Sequence, residues 1–210
     1  DALPAGGAEW CALLPRVWRD RDEETLRSWL DHAKHLGVTG ALLGNIGHVP
    51  LTENSGLNLY GDFGLNVFNS RSLEYLRDKG LQSACVSFEL RFAQIRDLRK
   101  CLPAEAIVYG RLPLMITEHD LTAGGVTALR DRTGAEFPLL TAFGHRTEIQ
   151  NSRPLWLADR ADWRQLGLAF ARLRFTTETP AECVRVFRDY LTGAAAQGAF
   201  TRGLYERGVE

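Results

Sequence analysis

The sequence predicts an α/β fold: a partial (β/α) barrel of about four parallel β/α units, followed by a small antiparallel β-rich extension and a C-terminal helix. Three observations carry this. Apolar runs of strand length alternate with amphipathic helical segments through the first half of the chain. Those runs are apolar on both faces, as strands of a parallel sheet under crossover helices must be. After Met115 the rhythm changes to period-two alternation around turn signals. The expected division is residues 1–116 for the half-barrel and 117–210 for the extension with its helix.

The elements follow in order. "DEETLRSWLDHAKHLG" puts Leu26, Trp29, Leu30, Ala33 and Leu36 on one helical face, and Gly37 stops it. "GALLGN" (40–45) is the first strand, and "LNLYGDFGLNVFN" (57–69) the second, interrupted at Gly61 and Gly64. "SRSLEYLRDKG" is a short helix ended by Gly80; "SACVSFEL" (83–90) is the third strand. "RFAQIRDLRKC" turns Phe92, Ile95 and Leu98 inward, and "EAIVYGRLPLM" (105–115) is the fourth strand. "VTALRDRTGAEFPLL" (126–140) reads as a hairpin around "DRTG", and "SRPLWLAD" and "FARLRFTTE" add two strands. "TPAECVRVFRDYL" opens the last helix, with Thr179 as N-cap, Pro180 in the first turn and Glu182 closing a capping box. Its apolar face is Val186, Phe187, Tyr190 and Leu191; the Gly/Ala-rich tail from Gly193 is expected to fray.

Four β/α units are half of an eight-stranded barrel, which leaves two sheet edges and an apolar inner face, here Leu42, Leu65, Val86 and Val108. Self-association or binding to the missing barrel half is therefore expected. Closure by the segment after Gly124 is the poorest of the options, because antiparallel hairpins substitute badly for parallel units. A chain that opens at Asp1 without a methionine fits a fragment or a processed product. The net charge of −1 gives no indication of a nucleic-acid partner, although a small local patch could still hold RNA. No apolar run has the length of a membrane span, and the N-terminus lacks a signal-peptide layout, so the expectation is a cytoplasmic protein. Cys11, Cys85, Cys101 and Cys183 show no metal-binding spacing and read as reduced thiols.

Parallel α/β folds place their sites beyond the carboxyl ends of the strands. Here those ends are polar. Asn45 ends the first strand; Asp62 and Asn66 share a face of the second; Ser87 and Glu89 share a face of the third; Arg111 sits in the fourth. A guanidinium inside a strand needs an anion. Two readings stand: a buried Glu89–Arg111 pair completed by Asp62 or Asn66, or a pocket in which Arg111 clamps a substrate carboxylate or phosphate. Asn45, Asp62, Asn66, Glu89 and Arg111 are the candidate substrate-binding residues. Glu118, His119 and Asp120, at the rim just past the strand, are the candidate acid/base or metal-ligating groups, although a solvated loop is the simpler reading. His145 could be brought near by the hairpin to make a two-histidine site, and His48 on the first βα loop is a weak pocket candidate. No metal site is assigned.

The blocks "LPRVWRDRD", "GALLGNIG", "YGDFGLNVFNS", "VSFEL", "YGRLPLMIT", "LRDRTGAEFPLL" and "IQNSRPLWLADR" occur in that order. Together they resemble the collagenase-like peptidase family U32, from about Leu14 to Tyr190. The resemblance implies a barrel domain, here its second half with the following extension, and peptidase activity on protein or peptide. Several relatives instead hydroxylate RNA bases or ubiquinone precursors without oxygen, using an iron–sulfur cluster held by four cysteines. In this chain Asp120 stands about where the first such cysteine would, and no cysteine lies between Cys101 and Cys183. A cluster needs thiolate ligands, so no cofactor is expected. The leading expectation is a peptidase-family domain. The alternatives are a cluster-less relative of the hydroxylases that binds a nucleobase or aromatic acid, and a non-catalytic half-barrel serving as partner subunit or scaffold.

Overall fold

The computed structural model describes residues 7–209. The chain forms two compact units, Asp1–Ser87 with Asp97–Glu105, and Phe88–Arg96 with Ala106–Glu210. Among the described residues no helix is long and apolar enough to cross a membrane.

The first unit is a partial (β/α) barrel wall. In chain order it runs β1 (Cys11–Leu13), α1 (Glu23–His35), β2 (Gly40–Leu43), α2 (His48–Thr52), β3 (Asn58–Gly61), α3 (Ser70–Asp78) and β4 (Ser83–Cys85). Helix α4 (Phe92–Asp97) precedes β5 (Ala104–Gly110), whose first residues complete the unit. All successive pairs are parallel, from Cys11↔Gly40 to Cys85↔Glu105. Among the described residues there are thus five parallel strands, one more than the four read from sequence. The expectation missed β1 because three residues give a periodicity argument nothing to count.

Register fixes which side chains share a face. Leu13, Leu42, Tyr60 and Ser83 are aligned on one side, and Leu43, Gly61 and Ala84 on the other. Leu43, Ala84 and Val86 are fully buried, whereas Leu13 is 67% exposed. Val86 has the parity of Ala84, so it backs away from Leu42. The expected inner set that combined Leu42 with Val86 mixed the two faces.

Helix α1 buries Leu26 and Leu30 but leaves Trp29 exposed. In α3, Asn69 caps the helix by accepting from the Ser72 amide at 3.0 Å, and Leu73 and Leu76 turn inward. At the amino ends of the strands a polar ladder ties the unit together. Glu9 accepts from Asn58 Nδ2 at 2.7 Å and from the Tyr60 hydroxyl at 2.5 Å, while Gln82 Nε2 donates to Asn58 Oδ1 at 2.7 Å. Burial, with the Glu9 carboxylate beside it, pushes the Tyr60 hydroxyl up to about 12. That end is taken up by structure, in keeping with the division of labour in such barrels.

In the second unit, β6 (Pro113–Thr117), β7 (Ala128–Arg130), β8 (Glu136–Ala142) and β9 (Arg146–Gln150) form an antiparallel sheet ordered β6–β9–β8–β7. Strands β10 (Leu155–Trp156) and β11 (Phe170–Arg174) pair with the carboxyl part of β5, and α5 (Pro180–Thr192) follows. The β5 edge is therefore covered by the segment after Gly124, the option ranked poorest from sequence. Two short strands need only β5's free backbone groups, not a full β/α unit.

The apolar run 105–115 is two strands in two sheets. The break falls at Gly110, whose φ of 118° only glycine takes readily, and a Cβ there would stand 2.1 Å from the Arg174 carbonyl oxygen. The tail does not fray. Thr201 bridges to Leu155, and the Tyr205 ring is fully buried and stacked on Phe92 at 5.2 Å.

Candidate functional site

The carboxyl ends of the parallel strands in the first unit bring together groups from three loops. After β1 come Arg16 and Trp18; after β2, Asn45 and His48; after β3, Asp62, Phe63 and Asn66. Asn45 fixes the loop geometry. Its Nδ2 donates to the Arg16 carbonyl at 3.0 Å and its Oδ1 accepts from the Gly47 amide at 2.9 Å. The Arg16 stem runs across two glycines. A Cβ on Gly44 would meet Arg16 Cγ at 2.9 Å, and one on Gly64 would meet Arg16 Cδ at 2.9 Å. The guanidinium carbon ends 5.0 Å above the centre of the Phe63 ring, a cation–π contact.

His48 begins α2 and is 0% exposed. Its ring lies 5.6 Å from that of Trp18, tilted by 30°. Neither ring nitrogen has a hydrogen-bond partner in the structure. Burial pushes the imidazole down to about 4, so at neutral pH the ring is uncharged, with one N–H donor and one acceptor lone pair. Trp18 also lines an open groove of about 580 Å³ together with Arg19, Asp20 and Arg21.

Asp62 is buried at the residue following β3. Its expected companion Asn66 does not share its face. Phe63–Leu65 is a single 3-10 turn, and Asn66 ends it in the left-handed region at φ 51°, exposed. Period-two alternation does not survive a 3-10 turn. Likewise β4 ends at Cys85, and Glu89 lies in a turn and belongs to the second unit.

Arg111 lies in the break between β5 and β6, half-buried, not inside a strand. Its Nη1 donates to the carbonyls of Asn151, at 2.9 Å, and Ser152. Backbone oxygens thus take up its Nη1 donors. A buried arginine–glutamate pair does exist, but elsewhere. Arg174 Nη2 donates to Glu148 Oε1 at 2.6 Å and its Nη1 to Gln150 Oε1 at 2.7 Å.

The rim residues 118–120 are exposed. Glu118 accepts from Nε of the buried Arg146 at 3.0 Å, and the His119 carbonyl accepts from Thr147 Oγ1 at 3.0 Å. Asp120 Oδ1 accepts from both the amide and the hydroxyl of Thr122. Those hydrogen bonds hold its carboxyl below the ordinary range, and His145 adds to the effect. Among the described residues, however, no group of three or more His, Cys, Asp or Glu could hold a metal ion.

The residues matched by a family model now bear on this. Residues 5–134 match the model of peptidase family U32. The chain belongs to peptidase family U32. No curated protein matches it. The match spans the whole parallel sheet and the loops carrying Arg16, Trp18, Asn45, His48 and Asp62, and it ends within the antiparallel extension. In this U32 chain Cys11 is exposed, Cys85 buried, and Cys101 and Cys183 half-buried.

Arg16 and Trp18 are the residues that sequence reasoning missed. The block "LPRVWRDRD" held them in view, but without β1 there was no strand end on which to place them. His48 stood only as a weak pocket candidate; its burial with unpartnered ring nitrogens leaves no trace in sequence.

Proposed function

We propose that this chain is the substrate-holding part of a collagenase-like peptidase, and that it binds a peptide over the carboxyl ends of β1–β3. The observation that carries this is His48, buried beside Trp18 with both ring nitrogens unpartnered. A buried polar group without a partner is costly, so a ligand that supplies partners is favoured. A neutral imidazole needs one acceptor and one donor. A peptide group offers both, and Trp18 supplies an aromatic wall.

For the hydrolytic step we assign Asp62 as the acid/base group, since it is the buried carboxylate at this end of the unit. Asp62 would take a proton from the attacking water as the C–O bond forms. It would return that proton to the leaving amine as the C–N bond breaks. Glu118 and Asp120 are not given this role, because they lie exposed in the second unit, not at the strand ends that carry His48.

The test is a mixture of unstructured peptides incubated with the intact chain and read by mass spectrometry and by binding isotherms. Cleavage by the native chain, with Asp62→Asn still binding but no longer cleaving, is expected. Loss of binding in His48→Phe at unchanged melting temperature is expected with it. A native chain that neither binds nor cleaves any peptide overturns the proposal.

A further inference from the structure

The loop after β1 sets three arginines, Arg16, Arg19 and Arg21, around one tryptophan. The three are not used alike. The Arg16 guanidinium lies over the Phe63 ring and is engaged there. Arg19 and Arg21, with Trp18 and Asp20, line the open groove of about 580 Å³.

Both ends of this groove are fixed. A Cβ on Gly47 would stand 3.2 Å from Trp18 Cζ2, so the indole packs directly on the Gly47 backbone, which Asn45 holds through the Gly47 amide. At the other end Asp20–Asp22 is a 3-10 turn. The Asp22 amide donates to the Arg19 carbonyl at 2.8 Å, and Asp22 Oδ2 accepts from the Arg19 amide at 2.8 Å. That oxygen is spent on closing the turn. The Arg21 side chain, by contrast, is 80% exposed, and its Nε stands 3.9 Å from Asp22 Oδ1, beyond hydrogen-bond reach.

We propose that the groove is a specificity subsite that receives one carboxylate of the bound peptide, from an Asp or Glu side chain or from the peptide's own C-terminus. This rests on the peptide reading of the His48 site. Trp18 joins the two places, since its ring lies 5.6 Å from that of His48 and also lines the groove. A peptide held at His48 passes over Trp18, and the part beyond enters the groove. There the Arg21 guanidinium offers a planar fork of donors, the geometry a carboxylate accepts. The lining sets two guanidinium groups against the single carboxylate of Asp20, a balance of one positive charge. That suits one carboxylate and disfavours a polyanion.

The openness of the groove sets the strength. Ion pairs that stay in contact with water are worth at most about 1 kcal/mol, which is about fivefold in affinity. The subsite therefore selects among peptides that His48 and Trp18 already hold.

Binding isotherms of the intact chain with matched peptides are the test. One pair, acetylated and amidated, differs only in Glu or Gln at each scanned position. A second pair differs only in a free or amidated C-terminus. The carboxylate form of one pair is expected to bind about fivefold tighter, with the preference shrinking as salt is raised. The pair that shows it tells side chain from terminus. Arg21→Gln is expected to bring the ratio close to one, at the native melting temperature because Arg21 is exposed. Peptides that bind with no preference in either pair overturn the subsite and leave the peptide reading standing. A preference that survives Arg21→Gln also overturns the subsite. Failure of every peptide to bind overturns the peptide reading itself, and the subsite with it.

Discussion

At the scale of single residues, His48 makes the most testable commitment. Its imidazole titrates near 4 in the folded chain and near 6.5 when unfolded. Below pH 6.5 the unfolded chain takes up a proton that the folded chain refuses, so stability is complete above that pH and falls as pH drops towards 4. The loss over that window is about 3 kcal/mol, and His48→Leu should abolish it. Urea unfolding midpoints at pH 7 and pH 4.5 check this, with a native difference that the variant lacks. Arg111 makes a second commitment. Its donors serve the carbonyls of Asn151 and Ser152, so Arg111→Met leaves half-buried acceptors short and should destabilise by about 1–3 kcal/mol. An unchanged unfolding free energy would return Arg111 to the role of a ligand clamp. The polarity of these positions was legible in the sequence, but their partners were not. Asn45 was singled out as a substrate-binding residue, yet its Nδ2 donates to the Arg16 carbonyl and its Oδ1 accepts from the Gly47 amide.

At the scale of elements, α5 was legible down to its cap, because a capping box is a local code. Thr179 accepts from the Glu182 amide at 3.3 Å while Glu182 accepts from the Thr179 amide at 2.7 Å. Thr179→Ala should cost about 1 kcal/mol, measurable by denaturant unfolding. Helices α1, α3 and α4 and the β7–β8 hairpin were legible for the same reason, since their signals lie within a few neighbouring residues, whereas the short α2, which starts at His48, was read as loop. Strand β9 was not. "RTEIQ" has no apolar alternation because its burial is polar: Arg146, Thr147, Glu148 and Gln150 are all buried. Glu148 and Gln150 are matched by Arg174 from β11, a partner remote in sequence. Strand β1 escaped for want of length, and the split of 105–115 escaped because Gly110 reads as one more small residue in an apolar run.

At the scale of the whole molecule, the last residues carry more than their composition suggests. Tyr205 donates to the Ile107 carbonyl at 2.7 Å, stacks on Phe92 and is fully buried. Arg202 reaches both Asp159 and the Trp156 carbonyl. Tyr205→Ala should therefore destabilise by about 3–5 kcal/mol, as for other large buried aromatics. Differential scanning calorimetry reads this as a lowered midpoint, whereas a frayed tail would show no change. The hydroxyl of Tyr205 and the carbonyl it closes on are 98 residues apart in sequence. Long-range closures are slow, and a chain emerging from the ribosome gains its residues in order. Until Tyr205 has cleared the exit tunnel, β5 waits with its carbonyl unpaired and its Phe92 neighbour uncovered. Until Tyr205 has been made, then, the nascent polypeptide presents an unfinished strand to whatever holds it.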